Sequence, residues 1–254
     1  MAINLMDLTG MNVLVTGASS GLGRASAVLL SQLGARVLLI ARNEERLQET
    51  LGALEGDGHQ SLVYDLNEVD GIPGMLTEQA GSFGKLDGVV HAAGILSTRP
   101  LRVSSPEVFE SIYRVNVVAA GQLLRGITKR SVVGEEGCSV VLVGSVTSSV
   151  GAPGLAAYSA SKSGLLGLMR SAALELAPSR VRVNAVLPGQ FESPMADMQW
   201  KSLTEEQVAQ IGAMHPLGIG KAEDVANCVA FLISPAARWV TGSSLAVDGG
   251  YTAQ

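Results

Sequence analysis

Cysteine is scarce: Cys138 and Cys228 are the only two in 254 residues. Two cysteines give no disulfide framework, as expected for a reducing compartment. Of the three histidines, His59 and His215 have no Cys, His or Asp partner at ligand spacing, and no metal site is expected. An excess of positive charge is also missing. The net charge is −5 and the pI is near 5.3, which argues against nucleic acid as the main partner. The longest uncharged stretch, roughly 137–161, is studded with Ser, Thr, Gly and Pro, a composition for strand, loop and helix start and not for a membrane span. The opening MAINLMDLTG carries Asp7 and no basic segment, unlike a secretory signal. No linker, low-complexity segment or repeat divides the chain. The expectation is one domain, residues 1–254, cytoplasmic, with a 47% hydrophobic content that permits a sizeable core.

Seven short apolar, β-branched runs recur: MNVLVT (11–16), ARVLLIA (35–41), QSLVYD (60–65), DGVVHA (87–92), CSVVLVGS (138–145), RVRVNAVL (180–187) and SLAVD (244–248). Most are apolar throughout, the pattern of strands buried on both faces. Helical segments are expected between them at 21–33, 43–54, 67–81, 106–130, 156–177 and 222–233. Gly34, Pro178 and Pro235 serve as stop signals. This alternation predicts an α/β fold, a doubly wound parallel sheet of seven strands with helices on both faces. Ligands of such sheets bind beyond the carboxyl ends of the strands. The residues just past those ends are polar, small and turn-forming: TGASSGLG (16–23), Arg42–Asn43, Asp65, Ala92–Ala93–Gly94, Ser145 and Pro188–Gly189.

Each of these ends suggests chemistry. TGASSGLG places Gly17, Gly21 and Gly23 in a strand-to-helix turn, where backbone N–H groups can approach a pyrophosphate at a helix N-terminus. Packing alone would also account for three glycines there. At the second strand end, IARNEERL (40–47) offers Arg42 and no carboxylate before Glu44. An acid in that place bonds a ribose 2′-hydroxyl, whereas an arginine suits a 2′-phosphate; a solvated helix-start charge is the other reading. In YSASK (158–162), Tyr158 and Lys162 stand four apart, on one helical face. An ammonium so placed favours a phenolate, whose free pKa of about 10 is otherwise too high for work near neutrality.

TGASSGLG, Asp65, HAAG (91–94), Asn116, Ser145, Tyr158-x-x-x-Lys162, PGQFESPM (188–195) and the LAVDGG ending occur in order along essentially the whole chain. Together they resemble the single-domain branch of the short-chain dehydrogenase/reductase family, a Rossmann-fold family, and look most like its 3-oxoacyl-carrier-protein reductases. The resemblance implies an NADP(H)-dependent oxidoreductase acting on a carbonyl or secondary alcohol, of a small molecule or an acyl thioester, with NAD(H) disfavoured by Arg42. It implies a catalytic set of Tyr158 as acid or base, Lys162, Ser145 holding the substrate oxygen, and Asn116 as a proton-relay residue. It implies cofactor contacts at Gly17, Ser19, Ser20, Gly21, Leu22, Gly23, Arg42, Asp65, Leu66, Ala93, Gly94, Tyr158, Lys162, Pro188, Gly189 and Ser193. Asp65 in isolation also reads as a cap for the segment beginning near Asn67.

HAAG departs from the family's usual NNAG, and His91 is expected to be a buried, hydrogen-bonded strand residue. Residues 190–220 interrupt the strand–helix rhythm and, by family analogy, form a substrate lid. Phe191, Met195, Met198, Trp200 and Met214 there suggest an apolar pocket or simply a packed helix. Lys129, Arg130 and Arg180 are candidates for an acidic carrier's docking patch, offset by Glu135 and Glu136. Small residues at i+4 spacing on 156–177 suggest helix packing between subunits, and the family resemblance implies a homotetramer. The competing readings are a catalytically silent dinucleotide-binding regulator, an NAD-dependent alcohol dehydrogenase of the same family, and a nucleotide-sugar epimerase. The last usually carries a longer carboxy-terminal part.

Overall fold

The seven apolar runs fold as strands β1 (Asn12–Thr16), β2 (Arg36–Ala41), β3 (Gln60–Val63), β4 (Gly88–His91), β5 (Cys138–Val143), β6 (Val181–Pro188) and β7 (Ser244–Val247). The structure is a computed structural model and describes residues 5–192 and 204–253. All strands pair in parallel in one sheet, in the order β3-β2-β1-β4-β5-β6-β7. Successive side chains point to opposite faces, and both faces are covered. Leu14, Leu38, Val89, Val140 and Leu142 join one core layer. It packs beneath α3 (Ile72–Ser82), α5 (Ala119–Ile127) and α6 (Ala156–Leu176). Val13, Val15, Val37, Leu39, Val90 and Val141 face the other layer, with α1 (Gly21–Gln32), α2 (Glu44–Leu51) and α8 (Ala222–Ile233). No helix among the described residues is long and apolar enough to cross a membrane.

The helix expected over 106–130 is divided. It runs as α4 (Pro106–Tyr113), a π-helical turn (Arg114–Val118) and α5. The widened turn brings Asn116 to full burial, where it bonds Ile95 and Ser161, and these long-range partners leave no periodic trace in the sequence. The helix expected from 67 starts at Ile72, after a 3₁₀ turn (Val69–Gly71), with Pro73 in its first turn. Within the interrupting segment lies a further helix, α7 (Glu205–Ala213). Thr204 caps it reciprocally with Gln207, a signature readable in the sequence TEEQ.

β1 and β4 are neighbours, and the strand order reverses between them. A crevice opens above their carboxyl ends. The two chain segments nearly touch there: Gly17 has φ +66, and a β-carbon on it would lie 2.7 Å from the Ala93 nitrogen. Farther along the sheet, Asn184 is completely buried in β6. Its Nδ2 donates to the Val240 carbonyl (2.9 Å) and its Oδ1 accepts from the Ser243 N–H (3.1 Å), fixing the approach to β7. Asn184→Ala leaves the Ser243 N–H unpaired and the Val240 carbonyl with only the longer Arg182 bond (3.3 Å), and is expected to cost about 1–3 kcal/mol, read as a lowered urea midpoint. A midpoint equal to that of the parent would refute this assignment.

Candidate functional site

The crevice is a cavity of about 600 Å³ at the carboxyl ends of β1, β2, β4, β5 and β6. It brings together Gly17, Ser19, Ser20, Gly21, Leu22, Gly23, Arg42, Asp65, Leu66, Ala93, Gly94, Ser145, Tyr158, Lys162, Pro188 and Gly189. Asn116 lies buried behind this lining. Ser193 falls outside the described residues, as do Met195, Met198 and Trp200. Phe191 and Met214 line the cavity.

At one end α1 begins at Gly21 with no side chain capping its N-terminus and no acid in its first turn. By contrast α2 is capped by Asn43 and carries Glu44 and Glu45. The open positive end of the α1 dipole is therefore available to an anion in the cavity, and the turn of residues 17–23 fits the phosphates of a dinucleotide. The Arg42 side chain is 65% exposed, and its Nη1 lies 4.0 Å from Asp65 Oδ2. The other Asp65 oxygen accepts from the Asn67 N–H (3.0 Å), the local cap that the sequence also suggested.

At the other end α6 presents Tyr158 and Lys162 one turn apart. Lys162 is buried, and its Nζ donates to the Val143 carbonyl at the end of β5 (2.7 Å). Burial disfavours the ammonium and pulls its pKa down to about 8. Nζ also stands 5.6 Å from the centroid of the Tyr158 ring. Burial pushes the phenol up to about 12, and the opposing influence is a hydrogen bond from Ser145. Removal from water penalises the charged phenolate.

Ser145 is oriented by its neighbour Thr147. Its Oγ accepts from the Thr147 hydroxyl (3.0 Å) and from the Thr147 N–H (3.2 Å). The Ser145 proton is thereby left to be donated toward Tyr158 or an oxygen beside it. The Asn116 amide is fully engaged. It accepts from the Ile95 N–H (2.8 Å) and donates to the Ile95 carbonyl (3.1 Å) and to Ser161 Oγ (3.0 Å). A β-carbon on Gly94 would lie 3.3 Å from Asn116 Oδ1 and 3.5 Å from Lys162 Nζ, so the β4 turn, the π turn and α6 meet there.

His91 is buried, as expected, but only one of its nitrogens is bonded. Nδ1 lies 3.0 Å from Thr16 Oγ1, whereas Nε2 is buried without a hydrogen-bond partner among the described residues. Burial first, then the charge of Lys162, holds its pKa down to about 3, so the ring stays neutral. Thr16 Oγ1 also accepts from the Ala93 N–H (3.3 Å), tying the two neighbouring turns together. His215 and Tyr251 line the cavity as well and were not anticipated as site residues. Their stacked rings, with centroids 4.9 Å apart, join segments 36 positions apart (251 − 215), a pairing with no local sequence signal.

A family model described as enoyl-(acyl carrier protein) reductase matches residues 17–252. The 3-oxoacyl-[acyl-carrier-protein] reductase FabG of Rickettsia conorii is 37% identical over 248 residues, 97% of this chain and 98% of that protein. The cis-4-hydroxycyclohexanecarboxylate dehydrogenase of Sinomonas cyclohexanicum is 35% identical over 243 residues, 94% of this chain and 95% of its own length. A provisionally assigned 2-deoxy-D-gluconate 3-dehydrogenase from Agrobacterium tumefaciens, crystallised with bound NADP, superposes with a TM-score of 0.90 at 30% identity, covering 99% of this chain and 100% of that one. Identity at this level over nearly the full length, on the same sheet with the same crevice, shows that the chain belongs to the short-chain dehydrogenase/reductase family and is an oxidoreductase of C=O and CH–OH groups.

Proposed function

We propose that the chain reduces a ketone with NADPH, and that Tyr158, Ser145 and Lys162 do the chemistry. The observation that carries this reading is a phenol and a serine hydroxyl lining one cavity together with a buried lysine and an uncapped helix N-terminus. Bound nicotinamide supplies the hydride. Ser145 holds the substrate oxygen, and Tyr158 donates the proton that this oxygen takes up. A phenol near 12 stays protonated at neutral pH, which suits an acid in the reductive direction. Lys162 then stabilises the phenolate left behind, as long as it is itself charged. Asn116 holds the β4 turn against α6, and its place behind Lys162 supports a proton-relay role.

Arg42 is proposed to meet a 2′-phosphate, which would replace Asp65 as its counter-charge. Asp65 and Leu66 would border the adenine, and Ala93, Gly94, Pro188 and Gly189, with Ser193, the nicotinamide half. The relatives are named for an acyl-carrier thioester, a hydroxycyclohexane carboxylate and a sugar acid. A secondary carbinol or its ketone is the common group, and an acyl thioester remains the favoured substrate class for the FabG likeness. Lys129, Arg130 and Arg180 border a second hollow at the amino ends of the strands, away from Tyr158, and Arg180 lies 3.5 Å from Glu136. They offer little support for a carrier docking there. A homotetramer is proposed from the family likeness. Trp239 at 92% exposure and Leu174 at 79% supply apolar surface for subunit contacts, and Gly167 on α6 is open.

Tyr158→Phe is expected to keep NADPH binding and lose at least a thousandfold in ketone reduction. In the parent, kcat/KM for reduction should fall as pH rises through about 8, where Lys162 gives up its proton. A rate still climbing above that pH would contradict this role for the ammonium. NADPH should bind at least tenfold tighter than NADH, with most of the gap erased in Arg42→Ala; equal affinities in the parent would reverse the cofactor choice. Light scattering at micromolar concentration should give four times the 26.2 kDa chain mass, and a monomer mass would remove the assembly.

A further inference from the structure

His215 is 5% exposed and borders the cavity, yet it lies far from Tyr158 in sequence and takes no part in the chemistry above. Its two nitrogens face partners of opposite kind. Nε2 accepts from the Gln190 N–H (3.1 Å), and Nδ1 lies 2.9 Å from the Ile211 carbonyl. An amide N–H only donates and a carbonyl only accepts, so a single form of the ring satisfies both: neutral, with its proton on Nδ1. The imidazole thereby joins the turn after β6 to the last turn of α7. Its stacking on Tyr251 (4.9 Å, 14° between planes) adds the carboxy-terminal turn. The Gly189 N–H donates to Val247 (3.0 Å) and the Leu217 N–H to Gly249 (3.0 Å), which closes the same junction. Gly189 is clamped within it: a β-carbon there would lie 2.8 Å from Asp248 Cα and 3.2 Å from His215 Nε2.

We propose that His215 is a positioning residue that works only as the neutral imidazole. It fixes the Pro188–Gly189–Gln190 turn of the cavity and ties it to Ile211 of α7, which also lines the cavity. The proposal rests on the dinucleotide reading of the cavity. Protonation puts a hydrogen on Nε2, facing the Gln190 N–H with a donor where an acceptor stood. The ionisable groups packed against the ring are Asp248, from the segment after β7, and the stacked Tyr251. The end of β6 presents main chain, and α7 presents Ile211 and its carbonyl. The Asp248 carboxylate attracts an imidazolium, while its oxygens stay bonded to Gly250 and Thr252. Acid therefore draws the ring from Gln190 toward Asp248, and the turn loses its anchor.

The test is NADPH affinity by fluorescence titration from about pH 8 to about pH 5. The full-length parent, His215→Gln and His215→Phe are compared, with thermal unfolding recorded for each. The glutamine oxygen can accept from the Gln190 N–H and does not titrate; phenylalanine keeps the stacking and neither bond. Parent affinity is expected to fall at least tenfold more across the range than that of His215→Gln. His215→Phe should bind roughly tenfold more weakly than the parent at pH 8. The cofactor's 2′-phosphate also titrates near 6 but does so alike for all three proteins, and NADH, which lacks it, should show the same contrast. Nitrogen-15 NMR of the parent at pH 8 should show His215 with its proton on Nδ1, a measurement that needs no variant to fold. Matching pH profiles for parent and His215→Gln, parental affinity in His215→Phe, or a proton on Nε2 would overturn the role of His215 alone. Failure of the parent to bind NADPH at pH 8 would overturn the dinucleotide reading and this role with it.

Discussion

The ammonium of Lys162, buried against the Val143 carbonyl, sets the position of nearly everything else at the reacting end of the cavity. It pins α6 to the end of β5. Tyr158, one turn earlier on α6, is thereby suspended over the cavity, and Ser145, two residues past Val143, is brought to its hydroxyl. The interaction is costly in itself, because an ammonium removed from water holds its proton less tightly. A charge kept in such a place, with one carbonyl as its hydrogen-bonded partner, is poised to respond when a phenol beside it ionises. The same desolvation raises the phenol, so the resting pair is neutral tyrosine and charged lysine at neutral pH. That is the pair an acid catalyst needs before the proton moves.

The far end of the cavity works by a different device. The proposed anion site there consists of backbone geometry, the uncapped first turn of α1, and one exposed arginine already near a carboxylate. Exposed ion pairs contribute little, so the proposed exchange of Asp65 for a phosphate as the partner of Arg42 would cost little. The two ends are held at a fixed separation by the sheet, since both hang from strands paired in one register. Gly17, pressed against Ala93, is where the two halves of the crevice meet.

Much of this could be read along the chain, and the misses share a cause. The strands were legible because continuous Val, Leu and Ile runs are forced when both faces of a sheet are covered. The Gly-rich turn, Ser145, Tyr158 and Lys162 were legible because each stands at a strand end or at helical spacing. The π turn at Arg114–Val118 was not, since its apolar neighbours suit a straight helix equally well. The role of Thr147 left no mark in the sequence, since it depends on the direction of its hydroxyl toward Ser145. The spacing of Lys162 and Tyr158 gave their proximity but not their burial, which raises the phenol.

What the sequence determined by itself is what local rules govern: which runs are strands, where the turns need glycine, and which residues stand at the carboxyl ends. What the tertiary structure decided is which side chains lose water and which donors meet which acceptors across long separations. His215 with Gln190, Asn116 with Ile95 and Ser161, and His91 with Thr16 belong to that second class. These partners lie 21 to 75 residues apart, separations over which no sequence periodicity carries information.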